Sequence, residues 1–347
     1  MVRFGKVVWV CALVALAGAA VSAAASPRAA DPPKEPESPF MGEYLGTYTS
    51  PDGKATPAVA QVVARRSRRD GQVSYRAYVK AVASGLVEKT VIGKDAKAVV
   101  SVEMPGTAGE GKLLLAGGRW KGQIADDKLT AESAGASGGK LLLSRFVRKS
   151  PTELAPPPAG AIVLLPYAKG KCTSLDEWAN KKWPLLSDGS AMVKGGDNRT
   201  KRQFSRFKLH LEFRVPPASR GSGNSGVYIL DRYEIQVLDS FARKPSKGGC
   251  GAVYQTFAAE PNASLPVGRW QTYDITFLGP KMDGNQAVEL PVVTVVHNGV
   301  TVHKDVKVPH ATGSARSKGH AASGPIRLQD HGNPVRFRNV WLVELDK

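Results

Sequence analysis

Residues 224–240 read NSGVYILDRYEIQVLDS. The first part is a glycine-rich turn, because Gly221, Gly223 and Gly226 surround Asn224 and glycine lets a backbone approach a neighbouring strand or a ligand closely. The remainder is rich in Val, Ile and Tyr, which favour β-strands. The stretch therefore predicts a turn followed by a strand, and the rest of the chain can be interpreted around it.

The strand part of this stretch has one polar and one apolar face. Successive side chains of a strand point to opposite faces, which places Arg232, Glu234 and Gln236 together on one face. The residues on the other face are Tyr233, Ile235 and Val237. A row of guanidinium, carboxylate and amide groups indicates a functional site, although a solvated strand face is the alternative.

The first 25 residues are typical of a secretory signal peptide. Arg3 and Lys6 precede an apolar run over residues 7–21, and small residues follow it, as in a cleavable signal. A retained membrane helix is the alternative, but the run is short. We therefore expect a secreted or periplasmic protein with a disordered linker over residues 26–41 and no transmembrane segment after processing.

The chain is strongly basic. Its net charge of +18 becomes +16 without the signal peptide, since Arg3 and Lys6 are the only charged residues removed. A basic secreted chain meets anionic polysaccharide or the cell envelope, and no zinc spacing or basic helix predicts a nucleic-acid partner. The densest basic run, residues 65–69, is interpreted as a solvated loop before a hairpin turn.

Two of the three cysteines, Cys172 and Cys250, lie after the predicted cleavage site. In an oxidising compartment they would form a disulfide if their Cα atoms lie close together. Two free, buried thiols are the alternative, and the sequence leaves both open.

Two β-rich segments follow the N-terminal region. Residues 42–148 contain short alternating segments between Gly, Asp and Ser clusters, which predict a small all-β accessory domain. Residues 149–160 are rich in proline and predict an extended linker. Residues 161–347 contain many strands spaced by turns such as Asn298-Gly299, with almost no helical periodicity, and predict a two-sheet jelly-roll β-sandwich.

Other segments carry polar side chains that we expect in the same groove as Glu234. Two predicted strands have them on one face: His210, Glu212 and Arg214 on the first, and Arg327, Gln329 and His331 on the second. The polar turn at residues 194–198 and the pair at residues 254–255 are further candidates. This density of carboxylate, imidazole, amide and guanidinium groups indicates chemistry at the groove.

Glu234 and His331 are the natural acid–base pair. Burial can shift a carboxylate towards neutral pH, and histidine needs almost no shift. A loop histidine that bonds backbone groups is the alternative for His331. No two histidines have the spacing of a metal site, whereas a divalent cation held by carboxylates, amides and water remains an open alternative.

The pattern Glu234-x-Gln236-x-x-Asp239 has the spacing of the Glu-x-Asp-x-x-Glu motif of retaining β-glucanases, but its middle acid is replaced by an amide and its last by an aspartate. A retaining glycosidase needs two matched carboxylates. Without a β-bulge, Asp239 points away from Glu234. We therefore expect Asp239 to be a turn residue and do not expect a glycosidase with two carboxylates.

Three motifs give the chain a family resemblance. They are residues 223–228 (GNSGVY), 233–240 (YEIQVLDS) and 328–339 (LQDHGNPVRFRN). On these motifs, which lie within residues 161–347, the chain resembles the 3-keto-disaccharide hydrolase family. Members of that family are also described as 3-keto-glucoside 1,2-lyases and 3-keto-2-hydroxyglucal hydratases.

The resemblance implies an all-β, concanavalin A-like sandwich in a secreted enzyme. Its substrates would be 3-keto-glycosides or disaccharides, cleaved by removal of the C2 proton, elimination and hydration. Glu234 and His331 would be catalytic, and the residues expected to bind the oligosaccharide or glycoside substrate are Asn224, Tyr228, Arg232, Gln236, Arg327, Gln329 and Glu212. A non-catalytic carbohydrate-binding or envelope adhesion module is the alternative from another class.

Overall fold

The structure, a computed structural model, describes residues 38–67, 69–88, 90–135, 138–168, 171–172, 174–217, 220–313 and 315–346. The predicted signal peptide and residues 26–37 of the predicted linker lie outside this part. The helical element of the described residues is the 3-10 helix Arg220–Gly223. None of their helices has the length and apolar character needed to cross a membrane.

The first domain is a closed antiparallel barrel in which neighbouring strands pair in chain order and the last strand returns to pair with the first. Its strands are β1 (Gly42–Thr49), β2 (Ala55–Arg66), β3 (Val73–Glu88), β4 (Val91–Gly109), β5 (Lys112–Gly117), β6 (Trp120–Ala125), β7 (Lys128–Ser133) and β8 (Lys140–Phe146). Alternate side chains point inward and form an apolar core that includes Tyr44, Met104 and Leu113.

The second domain is a β-sandwich. Its strands are β9 (Ile162–Leu165), β10 (Tyr167–Ala168), β11 (Lys171–Cys172), β12 (Ala191–Met192), β13 (Asn198–Arg199), β14 (Phe207–Arg214), β15 (Ser225–Ile229), β16 (Tyr233–Val237), β17 (Trp270–Leu278), β18 (Lys281–Asp283), β19 (Gln286–Glu289), β20 (Val292–His297), β21 (Val300–Lys307), β22 (Arg327–Leu328) and β23 (Arg336–Glu344). The larger sheet has the order β12-β23-β14-β17-β20-β21, with β9 also paired to β23, and the smaller sheet has the order β13-β22-β15-β16.

The apolar core of the sandwich lies between these two sheets. Phe207 and Phe213 of β14 enter it from the larger sheet, and Ile235 and Val237 of β16 enter it from the smaller one. Because side chains alternate along each strand, the polar residues between them point to the outer faces. The predicted fold class, a jelly-roll type all-β sandwich after a small all-β domain, is confirmed.

The hairpin predicted at Asn298-Gly299 is also confirmed. These two residues connect β20 to β21, which pair as antiparallel neighbours. Both have positive φ angles, 52° and 81°, as required by the two-residue turn whose twist matches the flanking strands.

Residues 150–155 of the predicted Pro-rich linker pack against the outer face of the larger sheet. The Leu154 backbone nitrogen donates to Glu212 Oε1 at 2.6 Å, and Thr152 Oγ1 donates to Asp274 Oδ2 at 2.7 Å. Arg338 Nη2 donates to Glu153 Oε1 at 3.0 Å. These bonds attach the start of the segment to the sandwich.

Arg148 joins the barrel to the sandwich. Its guanidinium forms a buried ion pair with Glu43 of β1, with Nη2 3.2 Å from Oε1, and donates to the backbone oxygens of Ala263 at 3.0 Å and Ser264 at 3.1 Å. At the tip of the β3–β4 hairpin, Val91 is buried within the apolar core cluster of the sandwich. Arg148 and Val91 therefore attach the barrel to the sandwich through buried polar and apolar contacts.

Arg148→Ala should destabilise the full chain. The substitution leaves the buried Glu43 carboxylate without its partner, which typically costs about 3–5 kcal/mol. Thermal or urea denaturation measures the effect. Arg76→Ala is the control, because it removes a half-exposed ion pair with Glu103 and should change the free energy of unfolding by less than about 1 kcal/mol. Equal effects of the two substitutions would contradict a structural role for the Arg148 contacts.

Candidate active site

The polar outer face of the smaller sheet brings together most of the predicted site residues. Tyr228 of β15 lies opposite Glu234 of β16 on one side and opposite Arg327 of β22 on the other. Gln236 lies further along β16, and Gln329 follows β22. We call these five residues the site face. Since they alternate with core residues, their placement follows from the strand period.

Glu234 is the central carboxylate of the site face. It is only 2% exposed, and Tyr228 donates its hydroxyl to Glu234 Oε2 at 2.7 Å. Burial raises the pKa of Glu234 from 4.5 to about 7, although the Tyr228 hydrogen bond and the Arg327 charge act in the opposite direction. A carboxyl group with such a pKa can give or take a proton near neutral pH.

Gly226 provides the space beside this carboxylate. It lies opposite Gln236 in the β15–β16 pair, and a Cβ atom at this position would be 2.3 Å from Glu234 Oε1. Among the described residues no group donates a hydrogen bond to that oxygen. Glu234 Oε1 is therefore the atom through which the carboxylate can act on a ligand.

Arg327 supports the site from beneath Tyr228. Its guanidinium carbon lies 3.5 Å from the centre of the Tyr228 ring, which is a cation–π geometry. Arg327 Nη1 donates to Asp197 Oδ2 at 2.9 Å and Arg327 Nε donates to Asp231 Oδ1. Two carboxylates thus pair with a guanidinium that is 1% exposed, as a buried charge requires.

The turn between β15 and β16 brings Asp231 to Arg327. Leu230 and Asp231 have positive φ angles of 52° and 58°, a backbone conformation that is uncommon for residues with a Cβ atom. Arg199 Nη2 also lies 2.9 Å from Asp231 Oδ2. The strained turn is therefore stabilised by two arginines and in turn fixes one of them.

Two segments cover the free edge of β16. The backbone of residues 251–254 pairs with Glu234 and Gln236, and Thr312 Oγ1 accepts from the Glu234 backbone nitrogen at 3.2 Å. Arg316 Nη2 lies 2.8 Å from Asp197 Oδ2. Thr312 and Arg316 thus link the edge of β16 to the carboxylate that holds Arg327.

Several buried polar atoms around the site face have no hydrogen-bond partner among the described residues. They are Gln236 Oε1, Gln329 Oε1, Arg327 Nη2 and Asn224 Oδ1. A buried polar group without a partner is costly. A ligand rich in hydroxyl and carbonyl groups would satisfy both the acceptors and the donor.

His331 and Arg232 lie apart from this cluster. His331 is exposed on the loop after Gln329, and no hydrogen bond joins its side chain to Glu234 among the described contacts. Arg232 lies in the β15–β16 turn, where its Nη1 donates to the Leu230 backbone oxygen at 3.0 Å. The structure does not place Arg232 in a row with Glu234 and Gln236, because the strand starts only at Tyr233.

Glu212, expected in the same groove, lies instead on the outer face of the larger sheet. Its neighbours on β14, Leu211 and Phe213, enter the core, so Glu212 points away from the smaller sheet. Glu212 accepts from Arg338 Nε at 2.6 Å and from Asn339 Nδ2 at 2.9 Å. This carboxylate holds residues 150–155 on the sandwich, and the apolar core separates it from Glu234.

Asp239 and Cys250 have structural surroundings. Asp239 Oδ1 accepts from the Phe241 backbone nitrogen at 3.3 Å, the turn role expected from the sequence, and β16 pairs with β15 without a bulge. The sequence left open a disulfide or a free, buried thiol for Cys250, and the structure shows the free, buried thiol. Its Sγ lies 3.0 Å from Tyr273 Oη, and the side chain of Cys172 lies outside the described part.

The divalent cation stays a prediction. Within the described ranges no group of three His, Cys, Asp or Glu side chains is arranged to hold a metal ion. The polar atoms nearest Glu234 are instead amides, a phenol and a guanidinium.

Three residues around the site, Asp197, Asp231 and Thr312, are not singled out by the sequence. Asp197 belongs to the polar turn at residues 194–198, which the sequence marks as a candidate, and Asp231 directly precedes the candidate residue Arg232. Thr312 had no local signal, because its contact with Glu234 joins segments far apart in the chain.

The sandwich carries a site face on which a buried carboxylate lies among amide, phenol and guanidinium groups, which suits a carbohydrate-processing protein. Residues 161–343 match the 3-keto-α-glucoside-1,2-lyase-like domain family. This match spans just over half of the 347 residues, and the chain belongs to that family, which confirms the resemblance seen in the sequence. It is a carbohydrate-active enzyme family, and no curated protein matches the chain.

Solved structures show partial similarity to the chain. A candidate glycosyl hydrolase from Parabacteroides distasonis ATCC 8503 is 33% identical, with a TM-score of 0.48, over 54% of this chain and 84% of its own. A second one from the same organism is 18% identical, with a TM-score of 0.39, over 51% and 92%. Trypanosoma rangeli sialidase is 11% identical, with a TM-score of 0.27, over 88% and 64%. The family assignment rests on the match over residues 161–343.

Glu234→Gln should change how stability depends on pH. Burial raises the folded-state pKa of Glu234 above its value in the unfolded chain. The contribution of protonated Glu234 to the free energy of unfolding is therefore fully present below about pH 4.5 and is lost as the pH rises through about 7. A shift of this size corresponds to about 3 kcal/mol. Glutamine does not titrate, so the melting temperature of the variant minus that of the wild type should increase between about pH 5 and pH 8. A constant difference would contradict the raised pKa.

Proposed function

We propose that the sandwich domain cleaves 3-keto-glycosides or 3-keto-disaccharides by elimination followed by hydration. The observation that carries this proposal is the buried Glu234 carboxylate, which accepts a hydrogen bond from Tyr228 on a face whose other polar atoms suit a sugar. Burial raises the pKa of this group to about 7. Family membership supports the substrate class. A single acid–base carboxylate suits this reaction, whereas a retaining glycosidase needs two.

The reaction starts at C2 of the oxidised sugar. The ketone at C3 makes the C2 proton acidic, and ionised Glu234 takes this proton on Oε1. The electron pair of the C2–H bond forms a double bond between C1 and C2, and the bond between C1 and the glycosidic oxygen breaks. The leaving oxygen takes up a proton, and water then adds across the double bond, so that the net reaction is hydrolysis.

The other site residues stabilise the charge that develops in this reaction. Negative charge moves to the C3 oxygen when C2 loses its proton, and Arg327 and the amide groups of Gln236 and Gln329 are the nearby groups that can stabilise it. Asn224 and Tyr228 would orient sugar hydroxyls. His331, exposed on the rim loop two residues beyond Gln329, is the proposed acid for the leaving oxygen.

We also propose that the protein acts outside the cytoplasm. The apolar run at residues 7–21 and the small residues after it support export through a cleaved signal peptide. Mass determination of the protein recovered from the culture medium or periplasm would test the cleavage.

The full chain should release 3-ketoglucose from a 3-keto-glucoside such as 3-keto-trehalose. Glu234→Gln should reduce kcat by about 10²–10⁴-fold, the usual contribution of a general base. The loss of kcat in His331→Ala should be smaller at low pH than at high pH. It should also be smaller for a substrate with an activated leaving group, because such a group needs no acid to depart. With Glu234 as base, kcat/KM should rise as the pH passes through about 7.

The control for this experiment is Glu289→Gln, which removes an exposed carboxylate paired with Lys281 on the β18–β19 hairpin and should leave turnover unchanged. Assays with and without chelator test the divalent cation. If the protein binds several 3-keto-glycosides but does not cleave them, the proposed enzymatic activity is wrong and a non-catalytic carbohydrate-binding module is favoured.

Gly226→Ala should lower activity without removing any polar group. The new methyl group would lie 2.3 Å from Glu234 Oε1, so the carboxylate must move, and a displacement of about 1 Å can cost about 10²-fold in rate. Gly109→Ala on β4 is the matched control, because nothing lies within 4 Å of a Cβ there. Equal activity of Gly226→Ala and wild type would show that the position of Glu234 Oε1 is unimportant.

A further inference from the structure

A cleft of about 880 Å³ lies where the barrel meets the sandwich. We call it the interdomain cleft. From the barrel it is lined by Arg65 and Arg66, and from the sandwich by Pro216, Phe241, Arg243 and Arg269. Ligand sites occur preferentially between domains, and their usual volume is about 300–1,000 Å³. The cleft therefore has the size and location of a binding site for a few sugar rings.

The cleft has an excess of positive charge. Arg65, Arg66 and Arg269 have no side-chain hydrogen bond or ion pair within the part of the chain that the structure describes. Arg148, in contrast, is paired with Glu43 on the same wall. The three unpaired guanidinium groups come from both domains, so that an anion between them would be contacted from both sides.

Asp239 is the remaining carboxylate of the cleft wall. It lies 3.8 Å from Arg243 Nη2. Burial raises the pKa of Asp239, while Arg243 and, across the domain boundary, Arg65 lower it. Arg65 of the barrel therefore lies close enough to Asp239 to interact with it electrostatically, which shows that both domains face the same space.

The interdomain cleft is also continuous with the strand that carries the site face. Asp239 follows the end of β16 and lies five residues after Glu234, about 17 Å along an extended strand. Its backbone nitrogen donates to the Ser222 oxygen at 2.8 Å, and Ser222 lines the cleft two residues before Asn224. The strand that carries Glu234 therefore leads directly to the wall of the interdomain cleft.

We propose that the interdomain cleft binds the negatively charged units of an acidic oligosaccharide through Arg65, Arg66 and Arg269. The anionic group is a carboxylate or a sulfate, and guanidinium groups pair with both through two parallel hydrogen bonds. Phe241 and Pro216 of the wall provide apolar surface for the faces of the sugar rings. The proposal extends the carbohydrate function proposed above, but it concerns binding and is tested without turnover.

The size of the cleft favours a glycan over a nucleic acid. A duplex is contacted along a basic stripe by many phosphate-binding residues, whereas the arginines here line a space of about 880 Å³ whose wall also contains apolar side chains. The basic run at residues 65–69, which the sequence presents as a solvated loop, in part lines this cleft. Arg65 and Arg66 end strand β2.

The test compares binding of the full chain to short oligogalacturonates, sulfated dextran oligomers and neutral dextrins by calorimetry. The double variant Arg65→Gln/Arg269→Gln should weaken binding of the acidic oligomers by about tenfold or more. Lys304→Gln/Lys307→Gln removes the same charge from the exposed surface of β21, outside the cleft, and should leave binding nearly unchanged. Asp239→Asn removes the carboxylate from the cleft and should tighten binding.

Each outcome decides the proposal. Preference for oligogalacturonate or for the sulfated oligomer identifies the anionic group. Equal loss in the two double variants would overturn the proposal, because it would mean that the overall positive charge attracts the ligand. Equal affinity for a DNA oligonucleotide of matched charge, or for neutral dextrin, would overturn it as well. If the arginine variant folds poorly, tighter binding of the acidic oligomers by Asp239→Asn than by the wild type supports the proposal on its own.

Discussion

A buried positive charge organises the candidate active site. Arg327 is 1% exposed, and a guanidinium removed from water needs carboxylates and hydrogen-bond acceptors around it. Asp197 and Asp231 provide these, and the Tyr228 ring lies against the guanidinium at 3.5 Å. Because Tyr228 also donates to Glu234, the position of the central carboxylate depends on where Arg327 is held.

The two outer faces of the sandwich show how surroundings determine the behaviour of a carboxylate. Burial acts to raise the pKa of both Glu212 and Glu234. At Glu212 the hydrogen bonds from His210 and Asn339 and the charge of Arg338 outweigh burial, so the pKa of Glu212 lies below its usual value. At Glu234 burial outweighs a single phenol and a more distant charge. Glu212 is therefore suited to a structural ion pair, and Glu234 to proton transfer.

The barrel adds a second surface to the family domain. The family match covers residues 161–343, whereas the closed barrel formed by residues 42–146 precedes it. Arg148 and the tip of the β3–β4 hairpin attach the barrel at buried positions. This attachment places barrel arginines opposite sandwich arginines, an arrangement that neither domain has alone.

Local sequence determined the fold class and part of the site. The alternation around Glu234 and Gln236 predicted a strand with one apolar face, since that period is a property of the strand itself, and the motifs indicated the family. Only the tertiary structure decided that Glu212 lies on the opposite outer face and that Asp197 and Thr312 reach the site. Strand alternation shows which residues share a face, but pairing between distant segments decides which faces meet in the core and which side chains are brought together.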